Sequence, residues 1–329
     1  MKLYLAPMEG VTGYVFRNVQ NRYFGHIDRC FTPFITPNQS RKLTSREMND
    51  VLPEHNRGMD VVPQILTNRA EDFIWAAEKL RSLGYDEVNL NLGCPSGTVV
   101  SKHRGAGFLE RTQELNRFLE QVSGALEEKQ MKLSVKTRLG MGDPEEFYDL
   151  IPIFNRYPLS ELIIHPRVRT DYYKNSPNLE LFEEALKLSG NPVCYNGDLF
   201  NRRQYEAFTS RFPQVDRGMI GRGLIANPGL AAEIREDKPL DKQTLRNFHD
   251  ALLQGYQEAV SGDRNVLFKM KEMWHYMSGV FTDSEKHMKK IKKSVKMEDY
   301  MAAVSRLFEE RELARNPGYI GKETTWERP

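Results

Sequence analysis

A cysteine follows a strand-like run of residues, at a place where a thiol could serve as an acid or a nucleophile. The run begins at Glu87 and stops at Gly93, Cys94 and Pro95. Gly93 permits a turn that a side chain would obstruct, and Pro95 ends regular hydrogen bonding. Parallel α/β proteins place their chemistry at the carboxyl ends of strands, so we expect Cys94 in a site, with Asn91 beside it to orient a polar substrate. The alternative is a small buried cysteine that only packs at a strand end.

The chain contains seven further strand-like runs, and six of them end in similar polar or glycine-rich residues. The eight runs are predicted at residues 2–8, 28–35, 61–66, 87–95, 132–139, 161–167, 192–198 and 218–224. Their ends carry hydrogen-bonding groups, cations, glycines and one thiol, which an ordinary core would not gather on one side of a sheet. These residues are Pro7, Met8 and Glu9, then Gln64, Asn91, Cys94, Lys136, Arg138, His165 and Arg167, then Asn196, Gly197, Asp198, Gly221 and Arg222.

Two of these side chains follow apolar residues closely enough to need a partner. Lys136 lies within Leu133 to Arg138, and a lysine in an apolar strand needs an anion or an electron-rich ring to keep its charge. The pyrimidine end of a reduced flavin would suit it. His165 follows three apolar residues and is either a satisfied structural histidine or a group that faces a phosphate or flavin edge. Glu9 is either a site acid or a helix-start residue.

Glycines after the seventh and eighth strands indicate a phosphate site. Barrels often bind phosphate at these two strand ends through backbone N–H groups, and Arg222 adds a cation beside Gly221 and Gly223. Simple turn glycines are the alternative. A dinucleotide-binding loop is rejected, because the Gly221-x-Gly223 pattern closes the β/α series and no βαβ unit follows it.

Helical spacing between the strands predicts a closed (β/α)8 TIM barrel over residues 1–236. Asn68 is expected to cap a helix that Gly84 stops, and Asp143-Pro144 is expected to start another. Residues 36–59 are mostly polar and are expected to form a long loop. A linker at 237–242 leads into a small helical bundle over 243–316, followed by a polar tail over 317–329.

Composition excludes several classes of protein. The 329 residues carry a net charge of only +2, so any contact with nucleic acid must come from a local patch. Three cysteines are too few for a disulfide framework or a zinc site, which predicts a reducing cytoplasm and no metal. No apolar run approaches the ~20 residues of a membrane span, and the N-terminus lacks a signal-peptide pattern.

The chain resembles the tRNA-dihydrouridine synthase family of flavoenzymes, and the motifs that carry the resemblance appear in that family's order. Each motif is weak alone, but the ordered set spans the barrel and is specific. The motifs are Ala6-Pro7-Met8-Glu9-Gly10-Val11-Thr12, Asn91-Leu92-Gly93-Cys94-Pro95-Ser96, Gly105-Ala106-Gly107, Lys136-Thr137-Arg138-Leu139-Gly140, His165-Pro166-Arg167, Asn196-Gly197-Asp198 and Gly221-Arg222-Gly223.

The resemblance implies bound FMN, NADPH as electron donor, and reduction of uridine in tRNA. It implies that Cys94 is the acid and that Asn91, Arg138 and Arg167 contact the substrate. It also implies cofactor contacts for a larger set. These are Pro7, Met8, Glu9, Gln64, Lys136, His165, Asn196, Gly197, Asp198, Gly221 and Arg222.

The implied reaction matches this inventory of side chains. A hydride delivered to carbon six of uracil builds negative charge on the ring, and a proton must reach carbon five from the opposite face. An ordinary thiol is mostly protonated at neutral pH, as a proton donor should be. A uridine within folded tRNA must be flipped out to reach the barrel mouth.

Six lysines between Lys286 and Lys296 form the best local candidate for RNA binding, with a solvated helix face as the alternative. Two other functions are weighed: a flavin barrel that reduces a free pyrimidine or small enone, and a non-catalytic RNA-binding protein. The lysine-rich helical region argues against the first, and the retained Cys94, Lys136 and Arg222 argue against the second. An RNA-binding protein of this kind needs no partner surface, so a monomer is expected.

Overall fold

A parallel sheet that closes on itself forms the centre of the chain, as expected for a TIM barrel. The computed structural model describes residues 1–319, so residues 320–329 of the predicted tail lie outside the described part. The sheet order is β3-β2-β1-β9-β8-β7-β6-β5-β4. The strands are β1 Lys2–Leu5, β2 Arg29–Phe31, β3 Val61–Val62, β4 Gln64–Ile65, β5 Glu87–Leu92, β6 Lys132–Gly140, β7 Glu161–Val168, β8 Val193–Asn196 and β9 Arg217–Ile220.

The two ends of the sheet order are one run of chain divided at Pro63. β3 pairs with β2, and β4 pairs with β5, so the sheet closes through residues 61–65. Pro63 has no N–H to donate and interrupts the strand, although its carbonyl still accepts a hydrogen bond from Asn89 N at 2.9 Å. The prediction of eight strands is therefore confirmed, with the third divided in two.

Helices follow most of the strands. They are α1 Tyr14–Tyr23, α2 Ser45–Val51, α3 Ala70–Arg81, α4 Gly97–Val100, α5 Thr112–Glu128, α6 Phe147–Phe154, α7 Leu179–Leu188, α8 Arg202–Arg211, α9 Arg222–Ala226, α10 Leu230–Glu236, α11 Lys242–Ala259, α12 Asp263–Tyr276, α13 Glu285–Lys293 and α14 Met297–Glu310. Short 3-10 turns lie at Pro53–His55, Gly105–Phe108, Pro144–Glu146, Arg169–Asp171 and Met277–Gly279.

Helix starts confirm one local prediction and correct two. Asp143 caps its turn, as the Asp-Pro pattern predicts: its Oδ1 accepts a hydrogen bond from Glu145 N at 3.0 Å, and its own N–H donates to Glu146 Oε1 at 2.8 Å. The cap predicted at Asn68 is wrong, since Arg69 is the N-cap of α3, and Asn68 Nδ2 instead donates to Lys102 O at 3.2 Å. The predicted long loop is also interrupted, because Thr44 caps α2 within it.

Inter-residue contacts divide the chain into two compact units. The first contains Met1–Pro7, Arg29–Gly197 and Gln214–Met219, and the second contains Met8–Asp28, Asp198–Pro213 and the described residues from Ile220 onward. The first unit thus holds nearly the whole sheet. The second holds α1 and α8 to α14. The assignment of cofactor binding to residues 1–236 and RNA binding to 243–316 stays a prediction.

Charged side chains close the amino-terminal end of the barrel in the first unit. Arg29 Nη1 donates to Glu87 Oε2 at 2.9 Å, and Arg217 Nη1 donates to Glu161 Oε1 at 3.1 Å. Tyr4 Oη also donates to Glu161, and burial raises the pKa of that carboxyl. Arg29, Glu87, Glu161 and Arg217 are each the first residue of a strand. These ion pairs therefore stabilise the end of the barrel opposite to Cys94, where catalytic residues are not expected.

The helices of the second unit share a core built around one hydrogen-bonded chain. Trp274 Nε1 donates to Tyr300 Oη at 2.9 Å, and that hydroxyl lies 2.6 Å from His249 Nε2. His249 Nδ1 lies 2.8 Å from Asp250 Oδ1. Burial lowers the pKa of His249, so the ring is neutral at neutral pH. No helix in residues 1–319 has the length and apolarity needed to cross a bilayer.

Candidate active site

Cys94 lies on the loop that ends β5, partly exposed to solvent, as its position in the sequence predicts. Its backbone N–H donates to Asn91 Oδ1 at 2.9 Å, and Gly93 N donates to the same oxygen at 3.0 Å. Its carbonyl accepts a hydrogen bond from Ala106 N at 3.1 Å. Three hydrogen bonds therefore fix the backbone on both sides of the thiol.

The glycine that this loop requires is Gly105, not Gly93. A Cβ at Gly93 would come no closer than 3.7 Å to any neighbour, and its φ is not positive, so the predicted obstruction is wrong. Gly105 has φ +55°, and a Cβ there would lie 2.9 Å from Cys94 O and 3.0 Å from Cys94 Cβ. Only a residue without a side chain lets the 3-10 turn pack on the cysteine. The Gly-Ala-Gly motif was the signal for this contact.

A chain of side-chain amides crosses three strands and ends at the cysteine loop. Asn91 Nδ2 donates to Gln64 Oε1 at 2.7 Å, and Gln64 Nε2 donates to Asn89 Oδ1 at 2.8 Å. Asn89 Nδ2 in turn donates to Ser134 Oγ at 3.0 Å. Gln64, Asn89 and Ser134 are fully buried, and Asn91 is 8% exposed. The amide chain (Ser134, Asn89, Gln64 and Asn91) sets the position of Asn91, and through it the position of the thiol.

Sequence reasoning missed Asn89 and Ser134, because each looks like an ordinary alternating residue of its strand. Their contact follows from strand register: Gln64 lies opposite Asn89, and Asn89 lies opposite Ser134. Gln64 and Asn91 were predicted as ligand contacts, and each now has a structural role as well. The predicted contacts of Gln64 with the cofactor and of Asn91 with the substrate stay predictions.

Lys136 is the one site cation whose ammonium makes no hydrogen bond or ion pair with the described residues 1–319. It lies opposite Asn91 in the β5–β6 register and is partly buried. The pKa of Lys136 is lowered from 10.5 to about 7, chiefly by burial and also by nearby Arg138, while the sulfurs of Cys194 and Cys94 partly oppose the shift. A buried cation of this kind is stabilised by an anionic ligand, and this observation fits a flavin.

Arg138 is buried and holds two loops beside the cysteine. Its Nε donates to Gly93 O at 2.9 Å, its Nη1 to Val168 O at 3.0 Å, and its Nη2 to Tyr172 O at 2.9 Å. The guanidinium also lies 5.4 Å from the ring centre of Tyr173. The protein thus uses at least three of its five donor hydrogens, and the predicted contact with substrate stays a prediction.

His165 and Arg167 form a buried pair on β7. Arg167 Nη1 lies 2.8 Å from His165 Nε2, so the imidazole accepts there and carries its proton on Nδ1. Arg167 Nε donates to Asn175 O at 2.6 Å, and the imidazole ring packs 6.1 Å from the ring of Tyr173. The structure therefore gives both residues structural contacts. Their predicted roles toward cofactor and substrate stay predictions.

The remaining site residues of the first unit are Pro7, Asn196 and Gly197. Pro7 is partly exposed just after β1, and Asn196 Nδ2 donates to Met219 O at 2.8 Å. A Cβ at Gly197 would lie 2.0 Å from Tyr195 Oη. The tyrosine fills the space that a side chain at position 197 would need. Packing alone therefore explains why this residue is a glycine.

In the second unit, Met8 and Glu9 belong to a tight turn that α12 holds. Met8 N donates to Thr12 Oγ1 at 2.8 Å, and Gly10 has φ +79°. Lys269 Nζ donates to Gly10 O at 2.6 Å. Glu9 is exposed and precedes the start of α1 by five residues, so it does not start the helix. A role for Met8 and Glu9 toward a cofactor stays a prediction.

Asp198, Gly221 and Arg222 also lie in the second unit. Arg222 Nη2 donates to Asp198 Oδ1 at 2.6 Å. The guanidinium lies 5.0 Å from the ring centre of Phe200 and 4.9 Å from that of Tyr319. A carboxylate and two aromatic rings thus orient the arginine predicted to bind phosphate.

The eighth strand is shorter than predicted. β9 ends at Ile220, and residues 222–226 form α9 rather than a strand. A Cβ at Gly223 would lie 2.1 Å from Leu199 O, so close backbone approach requires this glycine. In residues 1–319, no group of three or more His, Cys, Asp and Glu side chains is arranged to hold a metal ion.

The predicted basic segment forms α13 and a wide groove against α14. The groove has a volume of about 720 Å³. Lys286, Lys289, Lys290, Lys293 and Arg306 line it, with one acid, Asp299. None of these lysines makes an ion pair with a residue of the described chain. Both the predicted contact with RNA and the alternative of a solvated helix face stay open for this groove.

Known proteins resemble this chain over nearly its full length. A family model described as dihydrouridine synthase matches residues 4–315. A tRNA-dihydrouridine(16) synthase of Aquipseudomonas alcaligenes is 27% identical over 268 residues, which cover 79% of this chain and 84% of that protein. The tRNA-dihydrouridine(16) synthase of Vibrio vulnificus is 23% identical over 324 residues, which cover 96% of this chain and all of that protein.

Solved structures resemble the barrel at low sequence identity. Morphinone reductase matches with a TM-score of 0.50 and 14% identity, over 74% of this chain and 88% of that chain. Histamine dehydrogenase from Rhizobium sp. 4-9 matches with a TM-score of 0.53 and 12% identity, over 77% of this chain and 48% of that chain. At these identities the two structures support the barrel fold alone.

Proposed function

Because this chain belongs to the dihydrouridine synthase family, we propose that it reduces uridines of tRNA to 5,6-dihydrouridine. The chain is an oxidoreductase, and its family implies a flavin cofactor. We propose FMN as that flavin and NADPH as its reductant. The observation that carries the proposal is the partly exposed Cys94 on a loop fixed by three hydrogen bonds, near a lysine whose ammonium has no partner among residues 1–319.

Lys136 supports the flavin assignment. Its ammonium would face the pyrimidine end of the ring, where a negative charge offsets the cost of burying a cation. A reduced flavin bound there would supply the hydride for carbon six of uracil. Gln64 and His165 are proposed to contact the ring, together with Pro7, Met8 and Glu9.

The second end of the cofactor needs groups that bind a phosphate. Arg222, with its orientation set by Asp198, is proposed for this contact, together with the backbone of Gly221. Asn196 and Gly197 are proposed to contact the same end. Arginine suits this role because its planar guanidinium keeps donors for phosphate while it pairs with a carboxylate.

Cys94 is proposed as the acid that protonates carbon five of the uracil ring. The N–H of Cys94 donates to Asn91 Oδ1, which holds the backbone that carries the thiol. The second amide hydrogen of Asn91 is proposed to hold a uracil carbonyl group, and Arg138 and Arg167 are proposed to contact the same ring.

The test is formation of dihydrouridine on an unmodified tRNA transcript. The purified protein with FMN and NADPH should yield dihydrouridine by mass spectrometry, and RNA from cells that lack the gene should lose it at the same position. Position 16 is examined first, because two relatives carry that position in their names. Protein that binds FMN and oxidises NADPH but leaves every tRNA uridine unchanged would contradict the proposal.

A further inference from the structure

A second cavity lies between α12 and α13, and the proposed reaction does not use it. Its volume is about 610 Å³, within the range of ~300–1,000 Å³ that is usual for sites of small organic groups. Trp274, Met288 and Ile291 supply apolar surface. Trp274 already donates its indole N–H to Tyr300, so its contribution to the cavity is hydrophobic.

An exposed aromatic side chain lines this cavity. Phe268 is 70% exposed, whereas Trp274 on the same helix is 3% exposed. Full burial of a phenylalanine is worth about 1.5–3 kcal/mol, and Phe268 forgoes much of that gain in the described chain. A large apolar group that stays exposed beside a cavity is typical of a binding surface.

The rim of the cavity is cationic. Lys271, Lys289 and Lys292 line it against a single acid, Glu272, and Lys271 Nζ also donates to the carbonyl of Ser294. Lys289 lines the neighbouring basic groove as well, so the two cavities are adjacent. Lys289 and Lys292 make no ion pair with any residue among 1–319.

We propose that this cavity binds one unpaired base of the RNA substrate, stacked on Phe268. The phosphates on either side of that base would lie on Lys289 and Lys292, and the strand would continue into the basic groove. Proteins recognise single-stranded RNA by this combination of an aromatic face and flanking cations. The inference rests on the proposed function, because it assigns a second contact to the same tRNA.

Charge favours RNA over the other occupants of an apolar cavity. An apolar helix or a neutral small molecule would use Phe268 and Trp274 but would leave the lysines without partners. A nucleotide uses both, since its base stacks and its phosphates pair with the ammonium groups. The aromatic term is independent of salt, whereas each phosphate contact steepens the salt dependence of binding.

The experiment separates these two terms. Binding of an unmodified tRNA transcript to the FMN-loaded enzyme is measured by fluorescence anisotropy at several salt concentrations. Phe268→Ala should weaken binding by roughly 5- to 100-fold at every salt concentration, and Phe268→Trp should restore it. Lys292→Gln should instead reduce the slope of log K against log salt by roughly 0.7 to 0.9.

Val295→Ala is the matched control, because Val295 is 80% exposed but does not line the cavity. Thermal unfolding and flavin absorbance show whether each variant is folded and loaded. Equal affinity of Phe268→Ala and Val295→Ala for tRNA would overturn the inference. It would also be overturned if Phe268→Ala no longer weakened tRNA binding in a chain that ends at Tyr319, because the tail would then be the occupant of the cavity. Failure of the unsubstituted enzyme to bind tRNA would contradict the proposed function instead.

Discussion

Replacement of Lys136 by methionine should stabilise the cofactor-free protein and weaken its hold on flavin. Methionine has a similar length and no charge, so it removes the cost of keeping an ammonium group within the barrel. The pKa of Lys136 falls from 10.5 to about 7, chiefly through burial. At about 1.4 kcal/mol per unit, this gap corresponds to an upper bound of about 5 kcal/mol. The side chain keeps part of its exposure, so we expect roughly 2–4 kcal/mol at pH 7.

The sign of the pH dependence follows from the lowered pKa. Between pH 7 and 10.5 the unfolded chain binds a proton at Lys136 that the folded chain has released. The free energy of unfolding of the unsubstituted protein should therefore rise with pH in this window, relative to Lys136→Met, by up to about 1.4 kcal/mol per pH unit. Below pH 7 both states of the unsubstituted protein are charged, and the difference between the two proteins should stay constant.

The assay is urea unfolding of cofactor-free protein, followed by circular dichroism at pH 7, 8 and 9. Lys132→Met is the control, because Lys132 begins the same strand with a largely exposed side chain, whose surface pair with Asp86 contributes little. A stability difference between Lys136→Met and the unsubstituted protein that is the same at pH 7 and pH 9 would refute the lowered pKa. Unchanged FMN affinity in Lys136→Met would refute its proposed place at the flavin.

Three further substitutions test other parts of the molecule. Cys94→Ala should keep bound flavin and its absorbance while dihydrouridine formation slows by at least about 100-fold, measured by single-turnover mass spectrometry; equal rates would remove the thiol as acid. Gly105→Ala should cost about 1–3 kcal/mol in urea unfolding, whereas Gly124→Ala, where a Cβ meets no atom within 4 Å, should be neutral or stabilising. Because burial lowers the pKa of His249, the unfolded state takes up the proton first as the pH falls below about 6.5. The free energy of unfolding should therefore decline there by up to about 1.4 kcal/mol per pH unit. This part of the decline should be absent from His249→Gln when unfolding curves at pH 7.5 and 5.5 are compared.

Much of the fold could be predicted because short apolar runs that end in polar residues and alternate with helical spacing are typical of a parallel barrel. Lys136 and Asn91 are 45 positions apart, yet both were assigned to strand ends, and they prove to be register neighbours. The barrel follows from the number of β/α units. The interruption at Pro63 was missed because a proline within an apolar run does not show whether the chain leaves the sheet or only loses one hydrogen bond.

The contacts that hold the site could not be predicted, since they depend on register and on loop positions. Asn89 contacts Ser134 and Gln64 only because three strands align to within one residue. The substrate contact predicted for Arg138 stays a prediction, but its hydrogen bonds to carbonyls of two loops could not be foreseen, because the sequence does not specify the paths of those loops. Gly93 and Gly105 look alike in a sequence, and only the backbone angles and neighbours separate them.

The amide chain has a direction, and that direction is imposed from one end only. At the cysteine end, the N–H groups of Gly93 and Cys94 can only donate, so the carboxamide of Asn91 must turn its oxygen toward them. This choice then orients the carboxamides of Gln64 and Asn89 in turn. At the far end, the Ser134 hydroxyl is a rotor that gives or receives a proton with equal ease. If Asn91 were replaced by Asp, the carboxamides of Gln64 and Asn89 could each rotate by 180°, so that each donates where it now accepts. The hydroxyl of Ser134 would then donate to Asn89. The barrel would then tolerate a negative charge three residues from the thiol, an accommodation that a serine-to-alanine change at the distant end would abolish.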